Sequence, residues 1–339
     1  MVTISEKIDV SPYLHRDKPF WNTVAIIYTF MGYLGGITLL ILPGIELNVL
    51  GVILLTHSLL ISAYLSHELM HGSIFKKRHL NVTFGKVMLL FNGGCYYRFE
   101  TLTLLHIAHH VDRADIITFD IPQAIQKQPH IVQQIILVLE WLYFPVTAFW
   151  SRWQWIISPW RNLERREERL RTIIILAIRG GMFAYLGLIS PKALLLYFLS
   201  YIGMITVLRW MDAFQHTYEG FPPGTKLPKR NRAHEQINTF SNLFSQRYSW
   251  LNLLLLNFGY HNAHHTVMKC PWHSLHELNK ELIKHENIRY VSLREQFINY
   301  HRFRITRLIK GQGEAIDNNG NPTFEKFYGA IDVSFLTVY

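Results

Sequence analysis

Three short histidine clusters are the residues of this sequence best suited to chemistry. They read HELMH at 67–71, HIAHH at 106–110 and HNAHH at 261–265. Side chains three and four residues apart lie on one face of a helix, so each cluster can direct two or three imidazoles at one point. Imidazole is a ligand for iron, zinc, copper and nickel. Because these eight histidines exceed the four ligands of a typical zinc site, the count predicts two metal ions.

The composition is typical of a membrane protein. Hydrophobic residues make up 49% of the 339 residues and charged residues only 17%. The two cysteines, Cys95 and Cys270, lie far apart and outside any CxxC pattern, so neither a disulfide framework nor an iron–sulfur ligand set is supported. The formal charge of +10 fits basic cytoplasmic loops. We expect no nucleic-acid partner, since no basic helix or stacking motif accompanies that charge.

Four apolar segments must position the histidines. Each is about as long as a bilayer core requires, roughly 20 residues, and very short turns join them in pairs. The predicted spans are 22–42, 46–66, 172–190 and 193–211. The sequence therefore predicts an all-α integral membrane protein, with four transmembrane helices in two hairpins and the histidine clusters at the ends of the spans.

Basic residues indicate the orientation of both hairpins. They occur before the first span, after the second and around the start of the third, whereas the turns within the hairpins are nearly uncharged. The residues are Lys7, Arg16, Lys18, Lys76, Lys77, Arg78, Arg161, Arg165, Arg166, Arg169 and Arg171. By the positive-inside rule, both termini and all the histidine clusters are predicted to face the cytoplasm.

The chain divides into a membrane domain, residues 1–284, and a more polar cytosolic extension, residues 285–339. The extension carries a Gly/Asn-rich turn at 311–321 and a short apolar tail. Within the membrane domain, 82–96 and 249–259 are apolar but too short to span. The tryptophan-rich segment 131–160 is typical of a membrane interface.

Taken one at a time, the histidine clusters also fit two other classes of protein, a zinc protease and a metal transporter. HELMH fits the HExxH motif of zinc proteases, with Glu68 as general base. A protease of that kind needs only one or two more ligands, not six or seven further histidines. A metal transporter needs its ligands along a path inside the membrane, whereas these clusters lie at the ends of the predicted spans. Chance packing of three histidine clusters in a core is the weakest interpretation.

The order HxxxH, HxxHH and HxxHH after membrane hairpins resembles the membrane-bound fatty acid desaturase and hydroxylase superfamily, over roughly residues 20–280. The resemblance implies a histidine-ligated di-iron centre in a cytosolic cap, which uses O2 and two electrons to attack C–H bonds of acyl chains. A further family histidine is matched by His216, in the segment 212–216. The expected metal ligands are His67, His71, His106, His109, His110, His216, His261, His264 and His265.

Two acidic residues are further candidates for the catalytic site. Asp212 stands where animal acyl-CoA desaturases have an Asn that reaches a metal through water. Its carboxylate can bind metal directly or orient a histidine, and both roles stay open. Glu68 is expected to hold a histidine tautomer, with a solvated surface position as the alternative.

The spacing of the first box and the charged residues near the second box are less specific for one function. The first box has three intervening residues where those animal enzymes have four, which favours bacterial or plant-like acyl-lipid enzymes and their relatives. Near the second box, Arg98, Glu100, Asp112 and Asp115 either pair with ligands or form salt bridges in the cap.

The resemblance implies a fatty acid desaturase acting on a fatty acid, an acyl thioester or a lipid ester. Electrons are expected from a separate ferredoxin or cytochrome b5 type of donor with its reductase. We expect 82–105 and 131–160 to line a tunnel for the acyl chain. Hydroxylation, oxidative decarboxylation of a free fatty acid to a terminal alkene, and carotenoid ketolation are alternatives. A decarboxylase needs an anchor for the carboxylate, for which Arg98 and Arg209 are candidates.

Overall fold

A computed structural model describes residues 9–14, 18–316 and 323–331. Lys7, Arg16, part of the Gly/Asn-rich turn and the apolar tail lie outside these ranges. The described helices are α1 Pro19–Ile41, α2 Ile45–His71, α3 Arg78–Asn92, α4 Phe99–Asp112, α5 Ile121–Gln126, α6 His130–Trp141, α7 Val146–Arg161, α8 Arg169–Ile189, α9 Pro191–Asp212, α10 Arg232–Asn238, α11 His261–Thr266, α12 Leu275–Leu282, α13 Leu293–Arg302 and α14 Thr306–Lys310. Two short strands, β1 Asp115–Ile116 and β2 Gly220–Phe221, pair in parallel.

Four of the described helices are long and apolar enough to cross a membrane, which confirms the predicted all-α membrane fold. They are α1, α2, α9, and α8 together with the 3-10 turn Leu163–Glu168 that precedes it. The second span differs from the prediction in one respect: α2 runs without a break through the first box to His71. The first histidine box is therefore the last turn of a membrane helix.

The turns of the two hairpins lie together at one end of the bundle. Asn48 donates from its side-chain amide to the carbonyls of Leu39 and Leu42, at 2.9 and 3.0 Å. Lys192, at the start of α9, donates to Leu42 O at 2.8 Å and to the Asn48 amide oxygen at 2.9 Å. These bonds satisfy carbonyls that the end of α1 leaves without helical partners. They also tie the second hairpin to the first.

The shorter apolar segments do not form straight membrane helices. The helix α3 packs along α2. The helices α6 and α7 meet at a bend of 115°, and each is shorter than a bilayer crossing. Tyr143, between them, has a φ of 63°. The Trp-rich region is therefore sharply folded back on itself.

The remaining described segments form a cap at the end of the bundle opposite the hairpin turns. Trp272 donates from its indole to the Asn22 side chain, near the start of α1, at 3.0 Å. Gln296 of α13 donates to Trp210 O, near the end of α9, at 2.7 Å. Farther along the chain, the Ala330 N–H donates to Ala213 O at 2.7 Å. The cap is thus anchored to both hairpins where α2 and α9 end.

Candidate metal centre

Four separate elements bring the histidine clusters together. The first box ends α2, the second ends α4, and the third forms the short helix α11. His216 follows α9, in the turn that begins after Asp212. All of these lie on the cap side of the bundle, where α2 and α9 end. The structure therefore brings all nine predicted ligands to one place.

Five histidines form the first group. Their ligand nitrogens all lie within 4.8 Å of one another, and every side chain is buried; the members are His67, His71, His106, His110 and His264. The Nε2 atom of His106 lies 2.8 Å from Nε2 of His71 and 3.1 Å from Nε2 of His110. The Nε2 atoms of His110 and His264 are also 3.1 Å apart.

The second group contains the other four histidines. His109, His216 and His265 have ligand nitrogens within 4.8 Å of one another. His261 joins them, since its Nε2 lies 2.6 Å from Nε2 of His216. The two groups are in contact, because the rings of His110 and His265 have centroids 4.2 Å apart. The site therefore offers two adjacent metal positions.

The second and third boxes divide between the two groups in opposite ways. His106 and His110, at i and i+4 of the second box, join the first group, while His109 at i+3 joins the second. In the third box, His261 and His265 join the second group and His264 joins the first. Residues at i and i+4 share a helix face, whereas neighbouring residues diverge by about 100°. Each HxxHH box therefore contributes histidines to both groups.

Carboxylates contact three of the nine histidines at Nδ1, the ring nitrogen that faces away from the histidine groups. Nδ1 of His109 lies 2.7 Å from Oδ1 of Asp115, and Nδ1 of His265 lies 3.2 Å from Oε1 of Glu235. Nδ1 of His67 lies 3.2 Å from Oε1 of Glu68. A carboxylate behind an imidazole selects the tautomer with the proton on Nδ1. The Nε2 lone pair then points into the group.

Glu235 was not singled out from the sequence, although it is 2% exposed and central to this arrangement. Its Oε2 accepts from Arg113 Nε at 3.2 Å and from Arg232 Nη1 at 2.7 Å. It lies in α10, and no spacing in the sequence connects it with a histidine box. The feature of the sequence nearest to it is the run of basic residues that precedes it.

The ligand set fits metal ions. Two nitrogens, each about 2.1 Å from a common ion and at right angles to one another, lie about 3 Å apart, as these Nε2 atoms do. If Nδ1 carries the proton, facing Nε2 lone pairs repel unless a cation lies between them. Nε2 of His265 is buried without a hydrogen-bond partner in the described structure. A bound metal ion satisfies that atom.

Burial also keeps the ligands neutral. It lowers the pKa of His106, His110, His216, His261 and His265 well below the usual value, and neighbouring imidazoles lower it further. The pKa of His264 falls to about 3, mainly because of burial. Since a histidine must be neutral to bind metal, these ligands are ready to bind at neutral pH.

Glu68 is buried, at 3% exposure, so it is not a solvated surface residue. Its Oε2 accepts from Ser73 Oγ at 2.7 Å and from the Trp272 N–H at 3.1 Å. Asp212 is also buried, as the last residue of α9, but it is not a member of either histidine group.

Other candidate residues near the second box have different partners. Arg98 binds Glu167 at 3.0 Å, and its side chain is 37% exposed. Glu100 pairs with Lys86 at 2.8 Å, where both side chains are about half exposed. Of these candidates, Asp115 is the one with a described contact to a metal ligand.

An apolar cavity of about 330 Å³ lies between α2 and α9. Its wall includes Val52, Leu60, Val207, Phe244 and Leu254. Neither of the two segments expected to line an acyl tunnel contributes to it. The second of those segments supplies Glu140, Tyr143 and Pro145 to a different, polar cavity. The predicted lining of the tunnel therefore stays a prediction.

Comparison with known families agrees with this site. The sequence model of one family, described as Fatty acid desaturase, matches residues 46–294. The chain belongs to the fatty acid desaturase family. The matched region contains all nine histidines. Membership of this family implies that the protein is an oxidoreductase with a lipid substrate and an electron donor. No curated protein matches the chain.

Proposed function

We propose that this desaturase-family protein binds two iron ions in the two histidine groups and uses O2 to desaturate a fatty acyl chain. The observation that carries the proposal is the contact between two all-imidazole groups whose members are buried, except for the half-buried His109. Two such irons supply the redox chemistry that removes hydrogen from an unactivated C–H bond. An all-nitrogen ligand set of this kind differs from the carboxylate-rich sites of soluble di-iron bundles.

The residues of the chain bind, orient and shield the metals. The nine histidines supply the ligand nitrogens, while Asp115, Glu235 and Glu68 set three of their tautomers. Phe258 packs on the edge of His67, with ring centroids 4.9 Å apart, and helps to exclude water. A dry surrounding protects a reactive centre from solvent. Asp212, beside this region, is proposed either to bind metal or to orient a ligand.

The zinc-protease alternative requires Glu68 to act as a base on water. In this protein both carboxylate oxygens already face groups of the protein, namely His67, Ser73 and the Trp272 N–H. The transporter alternative requires a path of ligands through the bilayer, whereas the histidines gather at one end of the bundle. Both observations support the oxidase.

The substrate and the electron donor follow from the same proposal. An acyl chain needs a cavity with apolar walls that leads to the metal site. We propose that the electrons come from a ferredoxin or cytochrome b5 type of protein with its reductase. The basic residues around the membrane helices support a cytoplasmic location for both termini and for the metal site. Fusing a periplasmic or cytoplasmic reporter to either end tests that orientation.

Oxidative decarboxylation of a free fatty acid is a second candidate function. Arg209, one turn before Asp212 on α9, lines a polar cavity and can hold a carboxylate near the metal site. The position of the reacting carbon, to within less than an ångström, decides between decarboxylation, desaturation and hydroxylation.

Gas chromatography with mass spectrometry tests the proposal in cells that express the wild type, His264→Ala or His130→Ala. Total lipid and headspace are both sampled, and iron is counted in the purified proteins. We expect about two irons per chain and a new internal double bond, both kept in His130→Ala, whose side chain is exposed and remote from the groups. A volatile alkene one carbon shorter than a cellular acid selects decarboxylation. One zinc per chain, or unchanged turnover by His264→Ala, rejects the di-iron oxidase.

A further inference from the structure

A small polar cavity lies between α9, the α6–α7 bend and the C-terminal helices. It has a volume of about 40 Å³. A single water needs roughly 10–15 Å³ by the same measure, so the cavity has room for a carboxylate-sized group. Three guanidinium groups line it, those of Arg209, Arg304 and Arg307, together with Tyr143 and Glu140. We call it the arginine pocket.

The arginine pocket has an excess of positive charge. Arg209 pairs with Glu140, with Nη1 and Oε2 3.0 Å apart. Arg304 and Arg307 form no ion pair with any carboxylate of the residues that the structure describes. One carboxylate therefore faces three cations.

Arg307 is the most deeply buried of the three, at 5% exposure. It donates to the backbone carbonyls of Asn299 and Tyr300, at 3.2 and 2.7 Å. Burial lowers its pKa to about 10, so the group is still charged at neutral pH. A buried charge without a counter-ion is costly, and an anion in the pocket offsets that cost. The planar fork of a guanidinium suits the paired oxygens of a carboxylate or a phosphate.

The pocket lies beside the segment that carries Asp212 and His216. Arg209 is three residues before Asp212 on α9. The guanidinium of Arg307 lies over the Phe214 ring, 5.7 Å from its centroid. The Ala330 N–H, on the pocket wall, donates to Ala213 O at 2.7 Å.

A larger cavity, of about 410 Å³, adjoins the arginine pocket and shares Arg307, Ala330 and Ile331 with it. Apolar side chains form much of its wall; they are Ile116, Ile117, Phe119, Ile121, Pro122 and Ile309. The same wall includes Asp115 and Tyr218. These two contact metal ligands, since Asp115 binds His109 at 2.7 Å and the Tyr218 ring stacks on His216, with centroids 4.4 Å apart. This cavity, whose wall also includes the polar residues Asp120, Lys310 and Gln312, thus leads from the arginines to residues that contact the histidine groups.

We propose that the arginine pocket binds the anionic head group of the acyl substrate, a carboxylate or a phosphate, with the chain in the adjoining cavity. The identity of that chain rests on the proposed function. Arg304 and Arg307 lie beyond residue 294, where the family match ends. The C-terminal segment of this chain, rather than the matched region, therefore supplies two of the three cations that select the substrate.

Equilibrium binding to the full-length, iron-loaded protein in nanodiscs tests this proposal, without reductant so that no turnover occurs. The probes are laurate, lauroyl-CoA, lauryl alcohol and inorganic phosphate, with empty nanodiscs subtracted. Arg304→Gln removes one pocket cation. Arg302→Gln is the matched control, because Arg302 is an exposed cation on the adjacent helix α13 and is not a lining residue. Arg304→Lys keeps the charge and serves if Arg304→Gln loses iron through misfolding.

We expect the wild type and Arg302→Gln to bind an anionic probe at least about tenfold more tightly than lauryl alcohol. A hydrogen bond to a charged group typically increases affinity by about that factor. That preference should fall about tenfold in Arg304→Gln and by a smaller factor in Arg304→Lys. A preference for laurate identifies the anion as a carboxylate, and a preference for lauroyl-CoA identifies it as a phosphate. An equal preference in all variants overturns the proposal, as does binding of inorganic phosphate with no preference among the acyl probes.

This result is separable from the proposed function. Charge-dependent binding by a protein that never oxidises an acyl chain rejects the oxidase and keeps the pocket. Oxidation of an acyl chain by a protein whose binding preference is unchanged in Arg304→Gln rejects the pocket and keeps the oxidase.

Discussion

Oε1 of Glu235 lies 3.2 Å from Nδ1 of His265, while two arginines hold the other oxygen of the same carboxylate. The pairing fixes the ring of a proposed metal ligand from a helix, α10, that contributes no histidine to either group. Arg113 and Arg232 in turn keep the carboxylate in place, at 3.2 and 2.7 Å.

Glu235→Gln is therefore expected to weaken metal binding in the second group by about 10–100-fold, since the charge that orients His265 is lost. Iron counted by mass spectrometry should fall from two towards one per chain, and turnover should fall with it. Glu219→Gln is the control, because Glu219 is 68% exposed and pairs with Arg230 away from the ligands. Full iron occupancy in Glu235→Gln would show that His265 needs no such partner.

Glu68 joins the first box to the cap, through His67 on one side and the Trp272 N–H on the other. Glu68→Gln should lower iron affinity in the first group and destabilise the protein by about 1–3 kcal/mol, the usual cost of disturbing buried hydrogen bonds. Because we propose that Glu68 orients and does not react, excess iron should restore most of the turnover. Glu46→Gln, exposed in the first turn of α2, should behave as wild type. Fully metal-loaded Glu68→Gln without activity would indicate a direct chemical role.

The stability of the metal-free protein should depend on pH in a defined window. Burial lowers the pKa of the cap histidines, to about 3 for His264, whereas the unfolded chain titrates near about 6.5. Below that upper value the unfolded state binds more protons than the folded state, so the free energy of unfolding falls as the pH falls. The contribution is fully present above the unfolded pKa.

Thermal unfolding of chelator-treated protein in detergent at pH 7.5, 6 and 5 measures this effect. We expect Tm to fall with pH, and to fall less steeply in His264→Ala, which has one fewer buried imidazole. His130→Ala should match the wild type, because its side chain is exposed. A Tm that is constant over this range would contradict the neutral, buried state of the ligands.

Gly259 sets how closely the third box approaches the rest of the cap. A Cβ atom at this position would lie 2.5 Å from the Asn242 carbonyl oxygen, and the Asn242 N–H donates to Gly259 O at 3.0 Å. Gly259→Ala must therefore separate two backbone segments and shift His261. We expect a loss of about 1–3 kcal/mol, as for other overpacked sites, together with lower iron content.

Gly180→Ala provides the matched control for that substitution. No atom lies within 4 Å of a Cβ built at Gly180, which is in the middle of α8. Since alanine is the better helix former, its Tm in detergent should be unchanged or higher. Equal stability of Gly259→Ala and Gly180→Ala would show that the segment near Asn242 yields without cost.

The sequence by itself determined which histidines are candidate ligands and where the four membrane helices lie. The spacing of His67 with His71, and of His106 with His110, places each pair on one helix face, because the helical period is a local property. The span lengths and short turns likewise determined the hairpins, since bilayer thickness sets the length of an apolar helix. These local rules located the eight histidines of the three boxes, and the family resemblance added His216, but neither divided them between two groups.

Only the tertiary structure decided which histidine serves which group. His109 and His110 are neighbours in sequence and belong to different groups, because adjacent side chains on α4 diverge towards different partners. Glu235 contacts His265, and Arg304 and Arg307 line the arginine pocket, from segments with no spacing relationship to the histidine boxes. Contacts of that kind depend on how distant helices pack, and a periodicity read along one helix carries no information about them.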